Sequence, residues 1–213
     1  MEKQDIYYKG FRTEIIPFLP KKYSKVLEVG CGEGGFRNNL TTQCEYWGIE
    51  PVEEILDIAR GKLDKALLGT YAEVVNELPN DYFDLIICND VIEHMQDHIF
   101  FYETIQRKVK THAYMVGAIP NVRYLPNLYH LLRDKDWEYQ EEGILDKTHL
   151  RFFTLNSIKR DFLNNGFSIE KLYGINKVYF SKKTLNGLKM LFLQFLLGKD
   201  TKFLQFGFRV KLK

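Results

Sequence analysis

Apolar positions in the first half of the chain come in short dense bursts, separated by segments whose apolar residues recur at helical spacing. KVLEVG (25–30), YWGIE (46–50), ALLGT (66–70), FDLIICND (83–90) and YMVGAIP (114–120) each predict a strand. Runs such as LIIC, apolar at every position, suit strands covered on both faces. Between them, VEEILDIARGKL places Val52, Ile55, Leu56, Ala59 and Leu63 on one helical face. A helix is expected to open near Gly34 and another to span about 97–109. At the start, IYYKGFRTEIIPFLP has helical spacing, closed by Pro17 and Pro20. Strands alternating with helices in this way predict βαβ units and a parallel sheet.

The rhythm breaks after residue 120. Residues 121–153 form a long aromatic-rich segment. A helix then follows Thr154, a capping residue, with Ile158, Phe162 and Leu163 inward and Gly166 at its end. FSIEKLYG predicts a sixth strand, and TLNGLKMLFLQFLL a helix. LQFGFRVKL alternates strictly, with Leu204, Phe206, Phe208, Val210 and Leu212 on one side, as in an antiparallel strand with one buried face. The expected architecture is α/β: a seven-stranded, mostly parallel sheet with helices on both faces and the last strand antiparallel. One domain is expected over 1–213, with an insert at about 121–153.

Composition narrows the class. The 213 residues, 45% apolar and 27% charged, suit one soluble, well-cored domain. MEKQDIYYKG lacks the apolar core of a signal peptide, and no apolar run approaches the ~20 residues of a membrane span. Cysteines 31, 44 and 88 have no paired spacing, so neither a disulfide frame nor a metal site is expected, and a reduced, cytoplasmic setting is. The net charge of +2 hides an asymmetry. From Lys177 onward nine basic residues face one acid, giving +8, against −6 for the first 176 residues. Such a tail is a solvated basic face or a partner for an anionic surface. With MLFLQFLL beside it, peripheral membrane contact is one reading; packing of Leu188, Leu191, Phe192 and Phe195 on the sheet is the other. No nucleic-acid contact is expected.

The candidate chemistry starts at VLEVGCGEGG (26–35). Gly30, Gly32 and Gly35 fit the dinucleotide pattern G-x-G-x-x-G, whereas Gly30, Gly32 and Gly34 after Glu28 fit the E-x-G-x-G-x-G loop of S-adenosylmethionine (SAM) methyltransferases. Glycines at a strand's carboxyl end let a ligand approach bare backbone. A helix N-terminus behind them would supply free N–H groups, for a pyrophosphate in the first case and for the methionine part of SAM in the second. Glu28 has a task only in the second, beside the ligand's ammonium; near phosphates it would repel. Glu50, ending the second strand, suits ribose hydroxyls in either case.

FDLIICNDVIEHMQD resembles the fourth-strand motif of class I SAM-dependent methyltransferases. YMVGAIPNVRYL and EEGILDKTHLRFFT resemble a bacterial subgroup met in loci for surface polysaccharide or glycan assembly, in which PNVxH-like and ILDxTHLRFFT segments flank the insert. The resemblance covers roughly residues 7 to 175. KTHAY departs from the usual Gly-Gly turn before the fifth strand, and Tyr124 stands where the subgroup often has His. The likeness implies a Rossmann-like fold, SAM as cofactor and O-methylation of a sugar or glycan-related acceptor. N- or C-methylation of a small metabolite, a SAM-binding partner protein without transfer activity, and an NAD-dependent oxidoreductase are the alternatives.

It also implies cofactor contacts at Glu28, Gly30, Cys31, Gly32, Gly34, Glu50 and Pro51, then at Tyr71 and Ala72 after the third strand, and at Asn89, Asp90 and Val91 after the fourth. Asn121, Tyr124 and Arg151 fall on the acceptor side. For a hydroxyl acceptor, His149 is the expected base, with Asp146 orienting its ring or holding the loop and Arg151 meeting an acceptor phosphate or carboxylate; His94 is the second candidate. Asp146, His149 and Arg151 equally suit a structural network that holds 121–153 on the sheet. Tyr124, Tyr129, Trp137 and Tyr139 suit either lid packing or stacking on a sugar.

Overall fold

The computed structural model describes residues 11–212. Of the predicted amphipathic opening, residues 6–10 lie outside the described residues. The remainder forms a short 3-10 helix, Thr13–Phe18, which contains Pro17 and buries Ile15 and Phe18.

Seven strands make one sheet: β1 (Lys25–Val29), β2 (Glu45–Glu50), β3 (Lys65–Leu68), β4 (Phe83–Asn89), β5 (Val109–Pro120), β6 (Ser168–Lys177) and β7 (Phe203–Lys211). Their order is β3-β2-β1-β4-β5-β7-β6. The pairs among β1 to β5 are parallel. β7 is antiparallel to both β5 and β6, as its alternation predicts. Phe206, Phe208, Val210 and Leu212 are buried, while Leu204 at the strand's start is only half-buried.

Period-two alternation sends Leu27, Val29, Ile86 and Cys88 into one core layer, and Val26, Leu85 and Ile87 into the other. The first layer is closed by α3 (His98–Lys108) and α5 (Leu155–Asn164), through Phe101, Ile105, Ile158 and Phe162. The second is closed by Ile15, Phe18 and Phe36, with α1 (Glu53–Arg60) covering Cys31 through Leu56 and Ala59. A one-turn helix, α2 (Tyr71–Val74), follows β3.

Three local expectations are corrected. The helix expected behind the glycine loop is a five-residue 3-10 turn, Gly35–Asn39, entered through Gly34 at positive φ. Leu163 is 58% exposed, because α5 needs only Ile158 and Phe162 to fill its contact with the sheet. Residues 121–153 contain a helix that the pattern did not reveal, α4 (Leu125–Asp134), started by Pro126 in its first turn and ended by Lys135 in the left-handed region. α4 lies against α6 (Leu185–Leu197), which Thr184 caps by accepting from the Gly187 N–H. Little of the α6 face is covered: Leu188, Phe192 and Phe195 are exposed, Leu191 is half-buried, and Gly187 and Met190 are buried.

Candidate functional site

Strand order reverses between β1 and β4, and open parallel sheets bind ligands at the carboxyl ends of strands at such a reversal. Two turns meet there. A side chain at Gly30 would stand 2.6 Å from Val91 Cγ2, so the glycine loop and the turn after β4 pack backbone against side chain. The segment 144–153 crosses the same edge: the Leu150 N–H donates to Glu93 O, and Val122 N–H to Phe153 O.

Gly30, Gly32 and Gly34 hold φ of +70°, +52° and +74°, a region that side-chain-bearing residues rarely adopt. The loop's own amides are engaged within the protein. Gly30 and Cys31 both donate to Ile49 O, Gly34 donates to Cys31 O, and Gly32 donates to Glu50 Oε2 at 3.0 Å. Glu50 Oε1 accepts from Val52 N–H, so the carboxylate is fixed by two amides. Burial nevertheless raises its pKa. A pyrophosphate would meet a carboxylate where a phosphate loop offers donors, which argues against a dinucleotide.

Glu28 lies below the loop, 3% exposed, and accepts from the Tyr46 hydroxyl at 2.7 Å. Burial, reinforced by the neighbouring Glu50, pushes its pKa up to about 8. Two buried carboxyls under one glycine loop favour a cationic ligand group over a phosphate.

The other predicted cofactor residues separate. Cys31 turns its thiol into the contact between Gly48 and α1, so only its backbone faces the loop. Tyr71 is corrected to a core residue, with its ring edge-on to Phe101 and its hydroxyl 3.1 Å from Thr104 Oγ1. Pro51 and Ala72 are exposed beside the ends of β2 and β3. Asp90, at positive φ, is ion-paired with Arg12 and accepts from Gln205 Nε2 at 2.7 Å. Both polar atoms of the Asn89 side chain are buried without a partner among the described residues.

On the acceptor side, the turn after β4 brings Glu93 and His94 to His149. One ligating atom of each lies within 4.8 Å of the others, and the two imidazole centroids are 4.6 Å apart. His149 Nδ1 is 2.9 Å from Ile144 O. A carbonyl only accepts, so Nδ1 carries the proton and Nε2 the free lone pair. His94 Nδ1 likewise donates to Thr148, whose hydroxyl donates in turn to Asp146 Oδ1 at 2.6 Å. Asp146 therefore positions His94 through Thr148, and its side chain does not orient His149. Burial, then the neighbouring His149, lowers the pKa of His94. Glu93 is 1% exposed, and among the described residues neither of its carboxylate oxygens has a hydrogen-bond partner. Burial holds its pKa well above the ordinary range.

The predicted acceptor residues divide as well. Asn121 is fully buried and spends its amide on Asp200 O, Phe203 O and the Arg123 N–H, tying β5 to the start of β7. Arg151 donates to Ile92 O, Met95 O and Gln96 O, so it clamps the turn that carries Glu93 instead of meeting an acceptor anion. Tyr124 does line a cleft, of ≈ 490 Å³, together with His130, Asp134, Asp136, Glu138 and Ile144, whose carbonyl holds His149. Arg12, Gln205, Thr148 and Glu93 were not foreseen as site residues. Only Glu93 carried a usable signal, being an acid embedded in the apolar string VIEHM.

A family model described as a methyltransferase domain matches residues 4–172. The ubiquinone biosynthesis O-methyltransferase of Aliivibrio fischeri is 24% identical over 179 residues, spanning 72% of this chain and 75% of that one. A SAM-dependent methyltransferase from Archaeoglobus fulgidus superposes with a TM-score of 0.67 at 19% identity, covering 98% of this chain and 94% of that one. One from Thermotoga maritima, described as a possible histamine N-methyltransferase, gives 0.64 at 16% identity, over 100% and 97%.

Proposed function

The chain belongs to the methyltransferase domain family, and we propose that it transfers a methyl group from SAM to a hydroxyl oxygen of a sugar or glycan-related acceptor. It is an enzyme, and SAM is its cofactor. The glycine loop takes the methionine part, with Glu28 toward its ammonium group and Glu50 toward the ribose hydroxyls. Asn89, Val91 and the exposed Pro51 and Ala72 border the rest of the cofactor, while Asp90, paired with Arg12, shapes the loop between them.

The observation that carries oxygen as the acceptor atom is the imidazole pair with both Nδ1 atoms occupied. Two oriented Nε2 lone pairs stand at the edge where Val91 meets the glycine loop. An amine needs little activation to attack a sulfonium methyl group, whereas a protonated sugar hydroxyl does. The sulfonium already drives the displacement, so alignment of oxygen, methyl carbon and sulfur supplies much of the rate, up to ~7–11 kcal/mol in the best intramolecular cases. The acceptor lies in the cleft bounded by Tyr124 and the acids 134, 136 and 138, a lining that suits a neutral polyol better than a phosphate. The glycan class rests on the EEGILDKTHLRFFT string.

A second reading, an acceptor of the kind met in ubiquinone biosynthesis, is favoured by the name of the similar Aliivibrio fischeri protein and by the exposed apolar face of α6. In either reading the basic C-terminal region rests on an anionic lipid surface in the cytoplasm, close to a lipid-borne acceptor. Among the described residues, no helix is long and apolar enough to cross a membrane. Mass spectrometry of capsule and lipopolysaccharide sugars from the host with and without the gene tests the first reading. Loss of a methoxy sugar supports it; unchanged sugars together with loss of a methylated quinone precursor transfer the assignment to the second.

A further inference from the structure

Each acid around the cofactor has found a donor: Glu28 has Tyr46, Glu50 has two amides, and Asp90 has Arg12 and Gln205. Glu93 has none among the described residues, although it is buried and points into the same space as two imidazoles. A buried carboxyl group without a partner either stays neutral or takes up a paired charge or a metal ion. The neighbouring guanidiniums are committed elsewhere, Arg12 to Asp90 and Glu14 and Arg151 to three backbone carbonyls of the turn.

The imidazoles point to a metal ion. A ligating histidine almost always donates its other ring N–H to a carbonyl or an acidic network, which fixes its tautomer and aim. His149 does so to Ile144 O, and His94 to Thr148, itself held by Asp146. Both Nε2 atoms are thereby left for an ion. One potential ligating atom of each of Glu93, His94 and His149 already lies within 4.8 Å of the others. Ligands sharing one ion at ~2.0–2.2 Å stand roughly 3–3.5 Å apart.

We propose that Glu93, His94 and His149 form a divalent metal site whose open coordination positions take the acceptor's hydroxyl oxygen. Two nitrogens and one carboxylate suit a first-row transition ion such as Mn²⁺, Co²⁺ or Zn²⁺ better than Ca²⁺, which asks for oxygen throughout. Three protein ligands leave room for substrate, the arrangement of a catalytic site and not of a structural one. The assignment rests on the O-methylation reading and deepens it. The acceptor O–H coordinates the ion and loses its proton to solvent, since a bound cation lowers the pKa of an oxygen ligand. That oxygen forms the new bond to the methyl carbon as the carbon–sulfur bond breaks. The bonding pair stays on sulfur, yielding S-adenosylhomocysteine, the methyl ether and one proton. His149 and His94 are then ligands and not proton acceptors.

The test uses the full chain, stripped with a chelator and titrated with Co²⁺ alone, followed by the ligand-field absorption of the bound ion. One Co²⁺ per chain is expected. Glu93→Gln and His149→Ala should each weaken binding by about 100-fold or more, and Thr148→Val, which removes the hydroxyl linking His94 to Asp146, by about 10-fold. His112→Ala, at an exposed position of β5, should bind as the parent does. If His149→Ala fails to fold by circular dichroism, His94→Ala at a half-buried position answers the same question. No saturable Co²⁺ binding, or parent-like affinity in Glu93→Gln, overturns the site. Neither SAM nor acceptor is present, so failure here leaves methyl transfer standing. Loss of turnover in a His149→Ala protein whose parent binds no ion would make that imidazole a general base and likewise overturn the proposal.

Discussion

The two sides of the cleft satisfy their polar groups in opposite ways. On the cofactor side, every acid is held by the protein itself: Glu50 by the Gly32 and Val52 amides, Glu28 by Tyr46. On the acceptor side, the two histidines are aimed by Ile144 and Thr148, but the Glu93 carboxyl group between them has no hydrogen-bond partner among the described residues. A preformed site binds its ligand with little reorganisation, and a site with an unpartnered buried carboxyl group is completed by what enters it.

The largest effect expected on the preformed side is at Gly32. Gly32→Val puts a β-branched residue at φ +52°, where L side chains are strained, and displaces the amide that fixes Glu50. SAM binding by calorimetry should be lost while the sheet, melted thermally, survives. Retained SAM affinity would show that the loop's shape is not what holds the cofactor.

Glu28 gives the next. Its folded-state pKa of about 8 lies above the ordinary 4.5, so between those values the folded chain binds a proton that the unfolded chain has released. Stability therefore falls as pH rises through that window, by roughly 5 kcal/mol in total. Glu28→Gln should flatten this slope in denaturant titrations. If the ligand's ammonium reaches Glu28, SAM binding near pH 7 should also release a proton, visible as calorimetric heats that change with the buffer's ionisation enthalpy. Buffer-independent heats would confine Glu28 to a structural role. Glu50→Ala should follow, weakening SAM by about 1.5–3 kcal/mol, the range for hydrogen bonds to a charged group. An unchanged SAM affinity in that mutant would separate Glu50 from the ribose.

The same contrast explains what the sequence could disclose. The strands were legible because burial on both faces leaves runs such as LIIC, and β7 because its alternation is strict. The glycine loop was legible for its composition, but the fate of its amides was not, since Ile49 O and Glu50 belong to another strand. α4 went unseen although Leu125, Leu128, Leu131 and Leu132 recur at helical spacing, because aromatic and polar residues around them mask the period. Asp146 was placed beside His149 by sequence proximity, while a three-dimensional detour through Thr148 delivers it to His94. Arg151 seemed free for an anion because the carbonyls it clamps lie more than fifty residues earlier. Long-range backbone partners are what a linear reading misses.

The smallest expected effect lies outside the cleft, on α6. Leu185 is 87% exposed and Phe195 82%, with Leu188, Phe192 and Leu196 also turned to solvent. Lys177, Lys182, Lys183, Lys199 and Lys202 accompany this face in the segment that carries +8. An apolar face with a basic border matches the interface of an anionic bilayer, where the apolar side chains sink among the acyl chains and the lysines meet the head groups. Each lysine near such a surface contributes about 1 kcal/mol, and the attraction is screened over ~8–10 Å at physiological ionic strength. The protein should therefore cosediment with phosphatidylglycerol vesicles at low salt and be released as salt rises. Phe192→Ser with Phe195→Ser should weaken the association while SAM affinity stays unchanged. No cosedimentation at low salt would leave the α6 face without a membrane role.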